Sequence, residues 1–98
     1  MTTEIKKTAQ ATTIQVVGRL DTTTAPVLEK TICREIGDTQ NLILDLKEMA
    51  YISSAGLRVL LSTQKKMQKI GSMIVRNVCP DVMEIFEMTG FVDILEIE

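Results

Sequence analysis

The sequence of 98 residues contains no histidine, no tryptophan and only three aromatic side chains. Without histidine, Ser-His-Asp and Cys-His catalysis and most zinc or copper sites are excluded. Three aromatic residues offer little surface on which nucleobases could stack. The net charge of −2 also argues against binding to a nucleic-acid phosphate backbone, which requires clustered lysine and arginine. We therefore expect no enzyme, no cofactor or metal site, and no nucleic-acid partner.

Long apolar runs are also missing. No stretch approaches the 18 residues of a membrane span, and the polar start MTTEIKK does not resemble a signal peptide. The two cysteines, Cys33 and Cys79, lie far outside a CxxC spacing, which favours free thiols in a reducing compartment. We expect a cytoplasmic protein without membrane insertion.

What is present is a regular alternation of strand and helix patterns over residues 1–98, which predicts one α/β domain. The expected sheet is mostly parallel, has four to five strands with the N-terminal strand antiparallel, and is covered by three to four helices. Residues 4–9 and 12–18 predict a hairpin, and a first helix follows Pro26 and ends at Gly37 and Asp38. The later expected elements are strands at 41–46 and 72–78 and helices at 54–70 and 80–89, and residues 91–97 are expected to form either a last strand or a frayed terminal extension.

The central feature is the turn at Ser53-Ser54, between an apolar strand and a long amphipathic helix. Serine is a frequent N-cap, so one interpretation is structural; the other is a regulated or binding serine. Neither a Gly-x-x-x-x-Gly-Lys phosphate loop nor a GxSxG nucleophile motif surrounds the pair. Asp21, just before the first helix, is typical of an N-cap or turn residue, and Asp45 is expected to accept N–H groups of the turn that follows it.

Two segments resemble a known family: GRLDTTTAP at residues 18–26 and NLILDLKEMAYISSAGLRVLL at residues 41–61, with a closing TGF that ends at Phe91. On these motifs the chain resembles, over essentially its full length, a STAS domain of the bacterial anti-sigma-factor antagonist type. The second segment matches an arrangement of apolar strand, Asp, spacer, Asp-Ser-Ser/Thr-Gly and helix. It departs by having Ser53 where the family often has Asp and Ala55 where it has Ser or Thr.

The resemblance implies a regulated interaction module. The phosphorylated residue would be Ser54, two positions before Gly56, with Ser53 as the alternate. The unphosphorylated form would bind an anti-sigma factor that is also a serine kinase and so release a sigma factor, and a PP2C-type phosphatase would remove the phosphate. The expected partner-binding residues are Asp21, Thr22, Thr23, Met49, Ser53, Ser54, Ala55 and Gly56.

A second class of function stays open. The chain would then be a stand-alone STAS subunit of an ABC-type membrane transport complex, and Ser54 would be a contact or a cap. An aspartate-phosphorylated receiver domain is disfavoured. Such a domain needs an acidic pair near the end of its first strand and a longer chain, and this sequence has neither. The stripe of Arg58, Lys65 and Lys69 is typical of a solvated helix face, although it would suit an acidic partner. An exposed Met49 would suit a partner surface.

Overall fold

The computed structural model describes residues 1–37 and 40–98, and in these residues five strands and three α-helices alternate. In chain order they are β1 (Thr2–Lys7), β2 (Thr12–Leu20), α1 (Ala25–Ile36), β3 (Asn41–Asp45), β4 (Met49–Ile52), α2 (Ser54–Ile70), β5 (Ser72–Arg76) and α3 (Pro80–Thr89), followed by a 3₁₀ helix at Phe91–Asp93. The α/β class is confirmed. The predicted end of the first helix falls partly on Asp38, which lies outside the described residues.

The sheet has the strand order β1-β2-β3-β5, and β4 pairs with the last residues of β2. Only β1 and β2 are antiparallel, as predicted. The turn of their hairpin contains neither Gly nor Asn. The Thr8 hydroxyl stabilises this turn instead, since it accepts the N–H groups of Gln10 and Ala11 at 3.2 and 3.1 Å. The mostly parallel sheet is therefore confirmed, and the helices that connect its parallel strands begin at the carboxyl ends of those strands.

One face of the sheet is buried under the helices. Along β2 the side chains of Ile14 and Val16 are fully buried, whereas Gln15 and Val17 between them stay half-buried. This period of two matches a strand that packs on one face. Leu28 of α1, Leu60 of α2 and Phe86 of α3 belong to the same hydrophobic cluster.

The helix α2 keeps the bounds that the sequence predicts. Leu57, Leu60, Gln64 and Met67 are buried, and Leu61 beside them is half-buried. The helix ends at Gly71, where a Cβ atom would collide with the backbone oxygen of Gln40. Only glycine allows residue 71 to lie this close to the backbone of Gln40, which directly precedes β3.

Two expectations about strands were wrong. Residues 49–52 form the strand β4, whereas the sequence suggested only a short crossing before α2. Residues 91–97 do not form a last strand: a 3₁₀ helix occupies Phe91–Asp93, and Ile97 makes a single parallel bridge to Val75. Two backbone bonds of 2.9 Å, from Val75 N–H to Glu96 O and from Glu98 N–H to Val75 O, hold this bridge along the outer edge of β5.

Candidate functional site

Two strand-to-helix turns lie side by side at one edge of the sheet. The parallel strands β2 and β4 end together, because Leu20 pairs with Ile52. The N–H of Ser53 then donates to the carbonyl of Leu20 at 2.9 Å. The turn that begins at Asp21 is thereby tied to the turn that contains the serine pair, as expected for two parallel strands.

A bulge at Gly18 places an arginine and a tyrosine in contact beside these turns. Gly18 has φ +96°, and the pairing register shifts there so that Gly18 faces Met49 but Arg19 faces Tyr51. The Arg19 guanidinium carbon lies 4.2 Å from the centre of the Tyr51 ring, within the range of a cation–π interaction. The sequence analysis missed this pair because the two residues meet only through β4, which was not predicted. A strand predicted at residues 49–52 and paired with β2 would have placed Tyr51 near Arg19.

The two serines have different environments. Ser53 is the N-cap of α2: its backbone is extended (φ −98°, ψ 176°), and its hydroxyl accepts the N–H of Gly56 at 3.4 Å. Ser54 is the first residue of the helix and is exposed. Within residues 1–37 and 40–98 its hydroxyl has no hydrogen-bond partner. Capping therefore occupies Ser53 and leaves the Ser54 hydroxyl accessible.

The start of α2 is a positive pole. The first N–H groups of a helix lack intrahelical partners, and the aligned peptide dipoles add about half an elementary charge there. Ser53 satisfies the N–H of Gly56, which leaves those of Ser54 and Ala55 at the open end of the helix. An anion on Ser54 would lie next to these groups, so the site favours a covalently attached phosphate electrostatically.

Gly56 lets the helix approach the strands. A Cβ atom at this position would stand 2.8 Å from both Ile52 Cγ1 and Leu20 Cγ. Gly56 is buried and Ala55 is half-buried against the core. Gly56 therefore sets how closely the turn lies to the strands and is not itself accessible, whereas Ala55 is partly accessible.

The Asp21 turn closes on itself through hydrogen bonds. The Asp21 carboxylate accepts the N–H groups of Thr23 and Thr24, each at 3.0 Å, and the Asp21 N–H donates to the Thr24 hydroxyl at 2.8 Å. The bond from the backbone N–H of Thr24 is the main reason that the pKa of Asp21 is lowered from its ordinary value. Thr22 and Thr23 are exposed, so they form the accessible part of this turn.

Met49 does not lie on the surface. Its side chain is 1% exposed and belongs to the core, because β4 buries its first and last residues. The expectation that an exposed Met49 contributes to partner binding was wrong. Asp45, in contrast, has the structural role predicted for it, since its carboxylate accepts the N–H of Lys47 at 3.0 Å and the side-chain amide of Asn77 at 3.2 Å.

In the described part of the chain, no three His, Cys, Asp or Glu side chains are grouped to hold a metal ion. None of the helices found there is both long and apolar enough to cross a bilayer. The accessible groups at this edge of the sheet are the Ser54 hydroxyl, the turn at Asp21 and the Arg19–Tyr51 pair.

A family model described as "STAS domain" matches residues 2–98. Among curated proteins, the anti-sigma-B factor antagonist of Bacillus subtilis is 28% identical over 95 residues, covering 96% of this chain and 87% of that protein. BtrV of Bordetella bronchiseptica, provisionally named an anti-sigma factor antagonist, is 33% identical over 82 residues, covering 82% of this chain and 71% of that protein.

Among solved structures, an anti-sigma factor antagonist from Mycobacterium paratuberculosis superimposes with a TM-score of 0.89 at 27% identity. The match covers 98% of this chain and 83% of that one. The similarity thus includes both the sequence and the arrangement of helices and strands.

Proposed function

The chain belongs to the STAS domain family, and from this premise we propose that it is an anti-sigma-factor antagonist switched off by phosphorylation of Ser54. In this proposal the unphosphorylated protein binds an anti-sigma factor with serine kinase activity and so releases a sigma factor. A PP2C-type phosphatase restores the hydroxyl. In the same proposal, residues 1–98 form a single STAS domain that has no catalytic activity of its own and acts in the cytoplasm.

The observation that supports this proposal most directly is the contrast between the two serines. The Ser53 hydroxyl caps α2, so a phosphate on Ser53 would sacrifice that cap. The Ser54 hydroxyl is exposed at the positive pole of the same helix. Ser54 is also the residue two positions before Gly56, where the family resemblance locates the phosphorylated serine. Position and accessibility therefore select the same residue.

A phosphate on Ser54 would act on the interface and leave the fold intact. It adds about −1.5 to −2 charges, and a helix N-terminus stabilises such a charge by about 0.3–1 kcal/mol. A partner carboxylate about 4 Å away would repel each of those charges by about 4 kcal/mol at an effective dielectric constant of 20. This corresponds to roughly a thousandfold loss of affinity, which is enough to dissociate a complex.

The partner surface that we propose consists of the exposed parts of both turns. Thr22 and Thr23 extend from the first turn and Ser54 from the second. Asp21 and Ser53 hold these turns in shape through their hydrogen bonds, and Ser53 also joins the two turns. Gly56 and Ala55 complete the second turn from the side of the core.

Intact-mass analysis tests the modification. We expect a gain of one phosphate when the protein is incubated with ATP and its cognate anti-sigma factor. The gain should disappear in Ser54→Ala and persist in Ser53→Ala, which is the matched control on the neighbouring hydroxyl. Loss of the phosphate only in Ser53→Ala would refute the assignment. No phosphate with any cognate kinase would favour the transport-complex alternative, in which Ser54 is never modified.

Binding tests the switch. Ser54→Asp is expected to retain the circular dichroism spectrum of the original protein and to lose affinity for the anti-sigma factor. Ser54→Asn, of similar size but neutral, separates the effect of charge from that of shape. Full affinity of a folded Ser54→Asp variant would contradict the proposed mechanism.

A further inference from the structure

The helix α2 concentrates positive charge that the rest of the chain does not share. Its residues 54–70 include Arg58, Lys65, Lys66 and Lys69 and no Asp or Glu. Outside α2 the chain has seven basic and thirteen acidic side chains. A protein of net charge −2 therefore presents one strongly cationic helix on an acidic body.

These four cations have no carboxylate partner in the described part of the chain. All four side chains are exposed. The ion pairs of residues 1–37 and 40–98 use Lys7, Arg34 and Arg76 instead. A lysine in the last turn of a helix favours the negative pole of that helix, which accounts for Lys69 but not for Lys65 and Lys66, one turn earlier. That effect does not account for Arg58, which lies in the second turn, toward the positive end.

The same side chains line a shallow groove of about 400 Å³ on the outer side of α2. The residues that line it, which we call the basic face, are Arg58, Leu61, Ser62, Lys65, Lys66 and Lys69. Most of them repeat at intervals of three or four positions, so they share one side of the helix. Ser54 is four positions before Arg58, which makes the basic face continuous with the proposed partner surface.

We propose that the basic face is a docking surface for an acidic segment of the protein partner, and this proposal rests on the proposed function. Cations without a carboxylate partner surround the half-buried Leu61, although Lys66 donates to the Cys33 thiol at 3.4 Å, and they fit a segment with carboxylates on either side of an apolar residue. The acidic body of the protein disfavours nucleic acid and anionic lipid, because both are extended polyanions that would also meet the negative surface.

Arg58 connects this surface to the switch. A phosphate on Ser54 would be the anion at position i and Arg58 the cation at i+4, the favourable orientation along a helix. Guanidinium groups pair readily with phosphate oxygens. Phosphorylation of Ser54 thus withdraws Arg58 from the acidic segment, in addition to the direct repulsion of the partner.

An acidic peptide tests the docking surface without the kinase. The probe is a helical peptide of repeated Glu-Glu-Leu-Leu units, titrated into the ¹⁵N-labelled full chain. We expect amide shifts concentrated on residues 58–69 that weaken at high salt. A peptide with Gln in place of Glu is the negative control. Shifts elsewhere, none at all, or equal shifts with the Gln peptide would overturn the proposal.

Charge-neutral variants localise the effect. Lys65→Gln with Lys69→Gln is expected to weaken peptide binding by about 2- to 30-fold at low salt, the range of two exposed ion pairs. Lys6→Gln with Lys30→Gln removes the same charge from exposed positions outside α2 and is expected to leave the affinity unchanged. Equal losses in both variants would mean that only net charge matters, which would refute a specific surface.

Two further outcomes separate this inference from its alternatives. Tighter binding of the basic face to phosphatidylglycerol vesicles or to a 20-nucleotide DNA than to the peptide would overturn it in favour of lipid or nucleic acid. Ser54→Asp is expected to lower peptide affinity more in the original chain than in Arg58→Gln, and equal losses in both would overturn the role of Arg58. If Ser54 is never phosphorylated while the peptide still binds α2, the proposed function fails and the docking surface stands.

Discussion

Replacement of Gly56 by alanine tests how closely α2 must approach the strands. The new Cβ atom would lie 2.8 Å from Ile52 Cγ1, 2.8 Å from Leu20 Cγ and 3.0 Å from Leu20 Cδ2. Carbon atoms that are not bonded prefer about 3.5–4.0 Å. The crowding atoms belong to inner parts of fully or almost fully buried side chains, so they cannot rotate away. The start of α2 must therefore shift outward.

The expected cost is a balance of two effects. Overpacking of a filled core costs about 1–3 kcal/mol, and alanine is favoured over glycine in a helix by about 1 kcal/mol. We expect Gly56→Ala to lower the free energy of unfolding by about 1 kcal/mol net. For a chain of this length, that corresponds to a fall in Tm of about 4–8 °C.

A double-mutant cycle with Leu20→Ala makes the test specific. Leu20→Ala removes two of the three crowding atoms and by itself costs about 2–5 kcal/mol. In that background Gly56→Ala should be neutral or stabilising, as measured by urea unfolding and calorimetry. Amide exchange at Ser53 should accelerate in the Gly56→Ala single variant, because the shift stretches its bond to Leu20. Equal destabilisation in both backgrounds would refute the steric argument.

Three further predictions concern stability. Ser53→Ala should lower the free energy of unfolding by about 0.5–2 kcal/mol through loss of the α2 cap, whereas Ser54→Ala should change it by less than about 0.5 kcal/mol in urea unfolding. The lowered pKa of Asp21 means that its contribution is present above its ordinary pKa of 3.8 and is lost as pH falls through the folded value. Asp21→Asn should therefore flatten part of the fall of Tm below pH 4, and an unchanged pH profile would contradict this. Met49→Ala should cost about 2–5 kcal/mol, while Met88→Ala, at a residue 78% exposed, should cost less than about 0.5 kcal/mol; equal losses would contradict the burial of Met49.

The sequence predicted the hairpin, the three helices and the strand β3, because each has an apolar pattern or a clear cap. It did not reveal β4, which has four residues with only the first and last buried. A bulge at Gly18 also shifts its pairing, so no period of two is visible. Residues 91–97 were misleading for the opposite reason: several apolar residues follow Gly90 there, yet only Leu95 among them is buried.

The position of the serine turn was predicted, but not the different roles of its two serines. The spacing of Ser53, Ser54 and Gly56 located the turn. Because serine is a good N-cap at either position, the sequence alone does not show which of the two hydroxyls caps the helix. Their backbone conformations do, since Ser53 is extended and Ser54 begins the helix. The Arg19–Tyr51 pair needed three-dimensional information, because its residues are distant in sequence and meet only through the parallel pairing of β2 and β4.

The bridge between Val75 and Ile97 has a consequence for solubility. The outer edge of β5 is apolar along Met73, Ile74 and Val75, and an open edge of this kind templates fibrillar pairing between molecules. Residues 96–98 occupy the backbone N–H and carbonyl of Val75, and Glu98 adds an ion pair with Arg76 at 2.9 Å. Residues 96–98, of which only Ile97 packs against the core, therefore keep the backbone of Val75 from pairing with a strand of another molecule.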